Sequence, residues 1–431
     1  MSEQIYCSQY ILPMTAAPIE GGAMLVRDGR IVAIGSAGQL CDVAPDAEVI
    51  DFGAAIIMPP LVNAHTHLEL TDFPEWFQHR NSGASTCDSD QGRDGFVDWI
   101  LELIRIKHSL EPDDLQASIQ HGIKTLLQSG TGAVCDILSV HLLDATFRET
   151  PLYGWLCFEL IGLDEGMGAV LPMMANDWLQ GGDLHRLQRG LSPHSPYTVG
   201  PQTLGKVSEL ARKHNRLTTI HVAESEDEAT FLLESAGPIA AHLYPAVGWH
   251  KPMPPYQRGS LEYLEKSEVL SPPALLVHGV QFDDAAIRAL ARAGASVVLC
   301  PRSNARLGVG RAPVESYLCQ GVNLALGTDS MASNASLSLW DEMEYARDVY
   351  GPAIDPLQLL IMATVNGARA LRIDDRIGTL TEGKEASFLV LQPAELPPIE
   401  QLPDFLCRGE RGGEVTRLYL DNIDVLGEGN L

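Results

Sequence analysis

Two histidines one residue apart, His65 and His67 in the run Asn63-Ala64-His65-Thr66-His67-Leu68-Glu69, give the sharpest chemical signal in the chain. Side chains at i and i+2 of an extended backbone point the same way, so two imidazole nitrogens can meet one cation. Alone such a pair is weak, because ordinary loop or strand histidines also produce it. Further imidazoles and carboxylates follow later apolar runs: His194 in Ser192-Pro193-His194-Ser195-Pro196, His221 with Glu224, His278 after Ala274–Val277, and Asp329 in Gly327-Thr328-Asp329-Ser330. Burying such groups without partners is costly, so their joint arrival argues for a shared site over scattered core residues. His65, His67, His221 and Asp329 make a set of three imidazoles and one carboxylate, suited to one divalent ion, zinc or iron(II), with a position left for water. Glu224 lies at i+3 from His221 and would face the opposite side of a regular strand. It must therefore stand past the strand's end, where the chain turns back toward the mouth and a carboxyl can move protons.

The elements that must position these groups read as β/α units. Apolar strand-like runs occur at Ile56–Met58, Gly132–Ile137, Leu152–Phe158, Arg189–Ser192, Thr218–Val222, Ala274–Val277, Ala295–Leu299 and Asn323–Leu326. Helical stretches fall between most of them, among them Phe96–Lys107, Leu115–Gln128, Gln202–His214, Asp283–Ala293 and Leu337–Arg347. This alternation predicts an α/β protein built as a (β/α)8 TIM barrel, in which strand ends converge on one face. Both chain ends are β-rich. Met24–Ile34 holds two apolar runs around Asp28-Gly29, a hairpin turn, while Ile377–Leu380, Ala386–Leu391 and Thr416–Leu420 read as short strands near the other end. Residues 81–94 read as an extended loop, either a lid over the site or a surface excursion.

Composition narrows the class. With 45% hydrophobic and 20% charged residues over 431 positions, there is material for a large core plus an accessory domain. The net charge of −26 would repel a phosphate backbone, so no nucleic-acid partner is expected. Eight scattered cysteines without a C-x-x-C pair fit reduced thiols and a cytoplasmic location. No apolar run is long enough for a membrane span, and no signal peptide is recognisable. A homodimer is compatible with this reading.

Taken together, these motifs resemble the amidohydrolase superfamily, and within it the branch of cytosine, guanine and S-adenosylhomocysteine deaminases and triazine chlorohydrolases. The resemblance spans nearly the whole chain, from the exit signal Ile57-Met58-Pro59-Pro60-Leu61-Val62-Asn63 to Gly378-x-x-x-x-Gly383-Lys384. It implies a catalytic barrel over 58–365 and a small β-sandwich domain formed by residues 1–57 and 366–431. Members with two metals use a carboxylated lysine from strand four. Here that position carries His194, so the resemblance implies the mononuclear type, with His65, His67, His221 and Asp329 as ligands. It also implies that His278 orients or deprotonates the attacking water, that Asp329 shares its proton, and that Glu224 protonates the ring nitrogen beside the attacked carbon.

For the substrate, the His-Thr-His-Leu-Glu form, Gly95-Phe96-Val97-Asp98-Trp99 and Cys300-Pro301-Arg302-Ser303-Asn304 are similar to the 6-aminodeoxyfutalosine deaminases of menaquinone biosynthesis. A small-molecule nucleoside is the implied partner. Glu69, His194, Arg302 and Asn304 are the expected substrate contacts. Glu69 would accept from ribose hydroxyls or else brace a ligating imidazole, and Arg302 would meet a carboxylate or else form a surface ion pair. S-adenosylhomocysteine, methylthioadenosine and adenosine are alternative substrates, and a chlorohydrolase or guanidine-cleaving hydrolase is the rival reaction. A non-enzymatic relative should have lost ligands or Glu224, and all are present.

Overall fold

The computed structural model describes residues 3–81, 95–163, 165–249, 259–270, 274–409 and 411–427. The expected loop at 81–94 lies almost wholly outside them.

Eight strands form a parallel, nearly closed barrel in sequential order: β6 (Leu61–Thr66), β7 (Thr131–Leu138), β8 (Tyr153–Leu160), β9 (Leu187–Pro193), β10 (Thr218–Val222), β11 (Ala274–His278), β12 (Ser296–Leu299) and β13 (Asn323–Leu326). Their residues are almost all buried, as expected for parallel strands covered by helices outside and side chains within. One assignment from sequence is corrected. Ile56–Met58 does not start the barrel. It pairs with Glu3–Ile11 and Phe388–Leu391 in a separate sheet, and Pro59-Pro60, which offer no backbone N–H, separate it from β6.

That second sheet comes from both chain ends. β1 (Glu3–Ile11) lies between β2 (Ile19–Arg27) and β5 (Ile56–Met58), β3 (Arg30–Ser36) pairs with β2, and β4 (Glu48–Asp51) pairs with β1. The C-terminal strands β14 (Phe388–Leu391), β15 (Val415–Leu420) and β16 (Ile423–Asp424) continue it beyond β5. Alternate residues of β1 enter two apolar clusters, Tyr6 with Met24, Val26 and Phe388 on one face, and Ile5 and Cys7 with Ala23, Leu25 and Leu40 on the other. Because both faces are covered, β1 lacks the apolar-polar alternation that makes a strand visible in sequence. The segment Ile377–Leu380 is not a strand. Leu380, Gly383 and Ala386 donate singly to the carbonyls of Pro13, Ile31 and Gly29, which docks this stretch on the N-terminal hairpin without a continuous ladder.

The barrel seam between β13 and β6 bears directly on the site. No ladder joins these strands. Asn63 Nδ2 donates to Thr328 Oγ1 at 2.8 Å, Thr328 N to Asn63 Oδ1 at 3.2 Å, and Asp329 N to the His65 carbonyl at 3.1 Å. The first and last barrel strands are thus stitched together at two of the expected metal ligands. Gly327 makes this approach possible, since a Cβ there would stand 2.8 Å from the His65 carbonyl oxygen and 2.9 Å from both His65 Cβ and Val298. Gly327→Ala is therefore expected to cost about 1–3 kcal/mol through overpacking and to reduce metal retention with it. Thermal unfolding and metal content of the purified variant check this, and parental values for both would refute the seam's role.

Candidate active site

The strand ends turn sharply to present their side chains. Ala223, His278 and Asp329 all have left-handed backbones, with φ of +52°, +73° and +56°. None is glycine, so each conformation must be held by its surroundings. At Ala223 the holder is visible: Glu228, fully buried, accepts from Ala223 N at 2.8 Å and from Glu224 N at 3.2 Å. This clamp turns the chain after His221 so that Glu224 lies over the barrel mouth, as the i+3 spacing requires.

His65, His67, His221 and Asp329 each offer a ligand atom, all within 4.8 Å of one another. His221 Nδ1 donates to the His194 carbonyl at 2.9 Å, which leaves Nε2 as the lone-pair nitrogen, and it faces His65 Nε2 at 3.2 Å. Asp329 Oδ1 stands 3.5 Å from His65 Nε2 and 3.6 Å from His67 Nε2. Its other oxygen accepts from Ser303 Oγ at 2.6 Å and Ser333 Oγ at 2.8 Å, which fixes the carboxylate's rotation. Burial, reinforced by the neighbouring imidazoles, holds His67 and His221 well below the usual histidine range. Burial opposes ionisation of Asp329, but its interactions with His65 beside it and with His278 and His67 outweigh burial and keep that carboxyl well below its usual range. Imidazoles at His67 and His221 that stay unprotonated, converging with His65 beside an ionised carboxylate, are a donor set that fits a divalent cation.

Glu224 and His278 stand beside this set. His278 Nδ1 donates to Asn304 Oδ1 at 2.9 Å, leaving Nε2 to face Glu224 Oε1 at 3.5 Å. Burial first, then the charges of Asp329 and Glu228, push the Glu224 carboxyl well above its usual range. Burial lowers His278 to about 4. The pair thus combines a carboxyl that holds its proton with a neutral imidazole whose Nε2 is free of one.

Both residues, with His67, His221 and Asp329, line a cavity of about 780 Å³. Its walls carry Trp99, Ile100, Leu103, Ile104, Leu243, Val247 and Trp249, and its polar lining includes Lys107, His108, Glu159 and His194. His194 faces the cavity as expected, with Nδ1 2.9 Å from Thr198 Oγ1, and burial lowers its pKa to about 4.

Three of the four expected substrate contacts are otherwise engaged or differently placed. Arg302 points into a separate surface pocket beside Asp341 (3.7 Å) and Glu342 (4.0 Å), because the helix that begins at Pro301 carries it away from the mouth. Asn304 faces His278. Glu69 is buried and accepts from Lys107 Nζ at 2.6 Å, Ser139 N at 3.0 Å and Ser139 Oγ at 2.6 Å, so it has little capacity left for a ribose. Lys107, Glu159 and Glu228 escaped the sequence reading. Glu228, four residues beyond Glu224, carried the only available signal, since Ser225 caps the following helix by accepting from Glu228 N.

Depressed imidazole pKa values set a sign for metal retention. Protons compete with the ion for Nε2, and ligands whose pKa is lowered stay unprotonated as pH falls through the ordinary histidine value of about 6.5. The protein desalted at about pH 5.5 should therefore keep the metal it holds at about pH 7.5. Loss with a midpoint near the ordinary value would show that the imidazoles titrate normally.

Comparison with known proteins agrees with this geometry. Residues 56–411 match the model of the Amidohydrolase family, and residues 22–47 match the imidazolonepropionase-like composite domain of bacteria. The 5-methylthioadenosine/S-adenosylhomocysteine deaminase of Moorella thermoacetica is 29% identical over 435 residues, covering 98% of this chain and 93% of that protein. The aminodeoxyfutalosine deaminase of Deinococcus radiodurans is 32% identical over 380 residues, 84% of each chain. The crystal structure of Helicobacter pylori aminofutalosine deaminase in complex with methylthio-coformycin superposes with a TM-score of 0.84 over 98% of this chain and 100% of that one, and at 23% identity it attests the fold. With a family match across most of its length and strand ends that converge on one set of residues able to hold a metal ion, this chain belongs to the amidohydrolase family and is a hydrolase acting on C–N bonds.

Proposed function

We propose that this protein is a hydrolytic deaminase of an adenine-bearing nucleoside and that its substrate is 6-aminodeoxyfutalosine. The observation that carries the deaminase reading is Glu224, a buried carboxyl with a raised pKa, beside the ligand set and facing the lone pair of His278. An aromatic carbon bearing an amine is a poor electrophile until the adjacent ring nitrogen is protonated, and a carboxyl that keeps its proton at neutral pH can supply that proton. A divalent ion held by His65, His67, His221 and Asp329 would supply Lewis acidity and bring the pKa of water from about 15.7 toward 7. His278, fixed by Asn304, orients the attacking water and accepts its proton through Nε2. Glu224 protonates the ring nitrogen, and Asp329 passes on the second proton so that ammonia leaves while oxygen stays on the ring carbon.

The pocket supports the narrower reading. Flat indole surfaces and an aliphatic wall suit a purine and an aryl arm, and Arg105 and His108 line the same cavity where that arm's carboxylate would end. This moves the expected carboxylate contact from Arg302 to the helix Phe96–Lys107 and the residue after it. A methylthioadenosine or S-adenosylhomocysteine deaminase is the second reading, favoured by the Moorella relative and by an aliphatic wall that suits a thioether equally well.

Assay of these nucleosides and adenosine, followed by the spectral change from adenine to hypoxanthine, should give the highest kcat/KM for 6-aminodeoxyfutalosine. On that substrate Glu224→Gln should keep the metal and lose about 10²–10⁴-fold in turnover. Comparable kcat/KM for adenosine would reject the specificity, and near-parental turnover of the variant would move the proton transfer elsewhere.

A further inference from the structure

A second carboxyl in the cavity has no part in the mechanism above. Glu159 is the penultimate residue of β8, opposite Ser192 in the ladder to β9, whose end leads to His194. Its partly buried side chain lines the cavity together with Lys107, and among the described residues no side-chain hydrogen bond to it is found. Glu69, the carboxylate expected to read the sugar, spends both oxygens on Lys107 and Ser139. Lys107 is held there by Glu69 and Ser139 Oγ (2.8 Å), which orders an ammonium on the cavity wall within electrostatic reach of the Glu159 carboxyl. An acceptor with two oxygens next to a positioned donor complements two hydroxyls on adjacent carbons, each of which donates one hydrogen bond and accepts another. Neither residue belongs to the His65, His67, His221 and Asp329 cluster, so the pair is available to the end of the substrate away from the reacting carbon.

We propose that Glu159, with Lys107, forms the sugar-reading site of this enzyme, and that Glu159 is the residue that distinguishes a ribose diol from a deoxyribose. Burial raises the Glu159 carboxyl to about 7 against the opposing influence of Lys107. The inference rests on the nucleoside reading above and deepens it. A site built to hydrogen-bond a hydroxyl discriminates against the analogue lacking it, because the polar group that the bound ligand covers is then left unpaired.

The test compares adenosine with 2′-deoxyadenosine and 3′-deoxyadenosine on the metal-loaded full-length enzyme and on Glu159→Gln. The parental enzyme should prefer the ribonucleoside in kcat/KM by about 10- to 100-fold, and Glu159→Gln should cut that preference to a few-fold, mainly through KM. Because the ratio is measured within one protein sample, any misfolded fraction cancels. If both enzymes prefer the ribonucleoside equally, Glu159 does not read the diol, although the deaminase assignment stands. If the parental enzyme deaminates no adenine nucleoside, the assignment falls and this inference falls with it.

Discussion

The structure depends on holding three imidazole nitrogens and one carboxylate oxygen within 4.8 Å of one another at the floor of the cavity, largely shielded from water. The Nε2 atoms of His65 and His221 face each other at 3.2 Å, and burial disfavours a proton on His221 that could bridge them. The fold accepts this arrangement because its ligands come from separate rigid strands. His65 and His67 come from the end of the first strand, His221 from the fifth, and Asp329 follows the eighth. The barrel seam is hydrogen-bonded at Asp329 and His65, so barrel closure and ligand placement are one physical event.

Around this centre, each working side chain has its orientation set by a neighbour. Ser303 and Ser333 fix the Asp329 carboxylate, Asn304 fixes the tautomer of His278, the His194 carbonyl fixes that of His221, and Glu228 holds the turn that delivers Glu224. Farther out, Asn334 bridges the Thr328 carbonyl to Glu342, whose carboxyl is buried and raised to about 8. Left-handed backbones at Ala223, His278 and Asp329 are the cost of aiming groups inward from the ends of extended strands. These contacts are local and dense, which suits a site whose chemistry needs preorganised charge.

Much of this was legible in sequence because it rests on periodicity and type. Helix Phe96–Lys107 and strands Thr218–Val222 and Asn323–Leu326 begin and end where the apolar patterns do. The ligand set follows from histidines and an aspartate at strand ends, and it comes together in space as those positions require. The failures share a cause. Ile56–Met58 has the composition of a barrel strand, and only its pairing partners assign it to the other sheet. Arg302 and Asn304 are neighbours in a helical turn, and local sequence does not say that one faces His278 while the other faces Asp341 and Glu342. Glu69 and Glu159 are both carboxylates near the mouth, and which is already satisfied is decided by Lys107, 38 residues beyond the first and 52 before the second. Side-chain direction and partner choice are tertiary properties, and no spacing rule reaches them.

The central claim is that these four ligand atoms enclose one cation. Metal analysis of the gently purified protein, joined to X-ray absorption at the edge of the metal found, tests it most directly. The account predicts about one equivalent per chain in a nitrogen- and oxygen-rich shell containing three imidazoles. It also predicts that His221→Ala removes one imidazole from that shell or abolishes binding. Two equivalents with a metal–metal distance in the spectrum, or an unchanged shell in the variant, would contradict it.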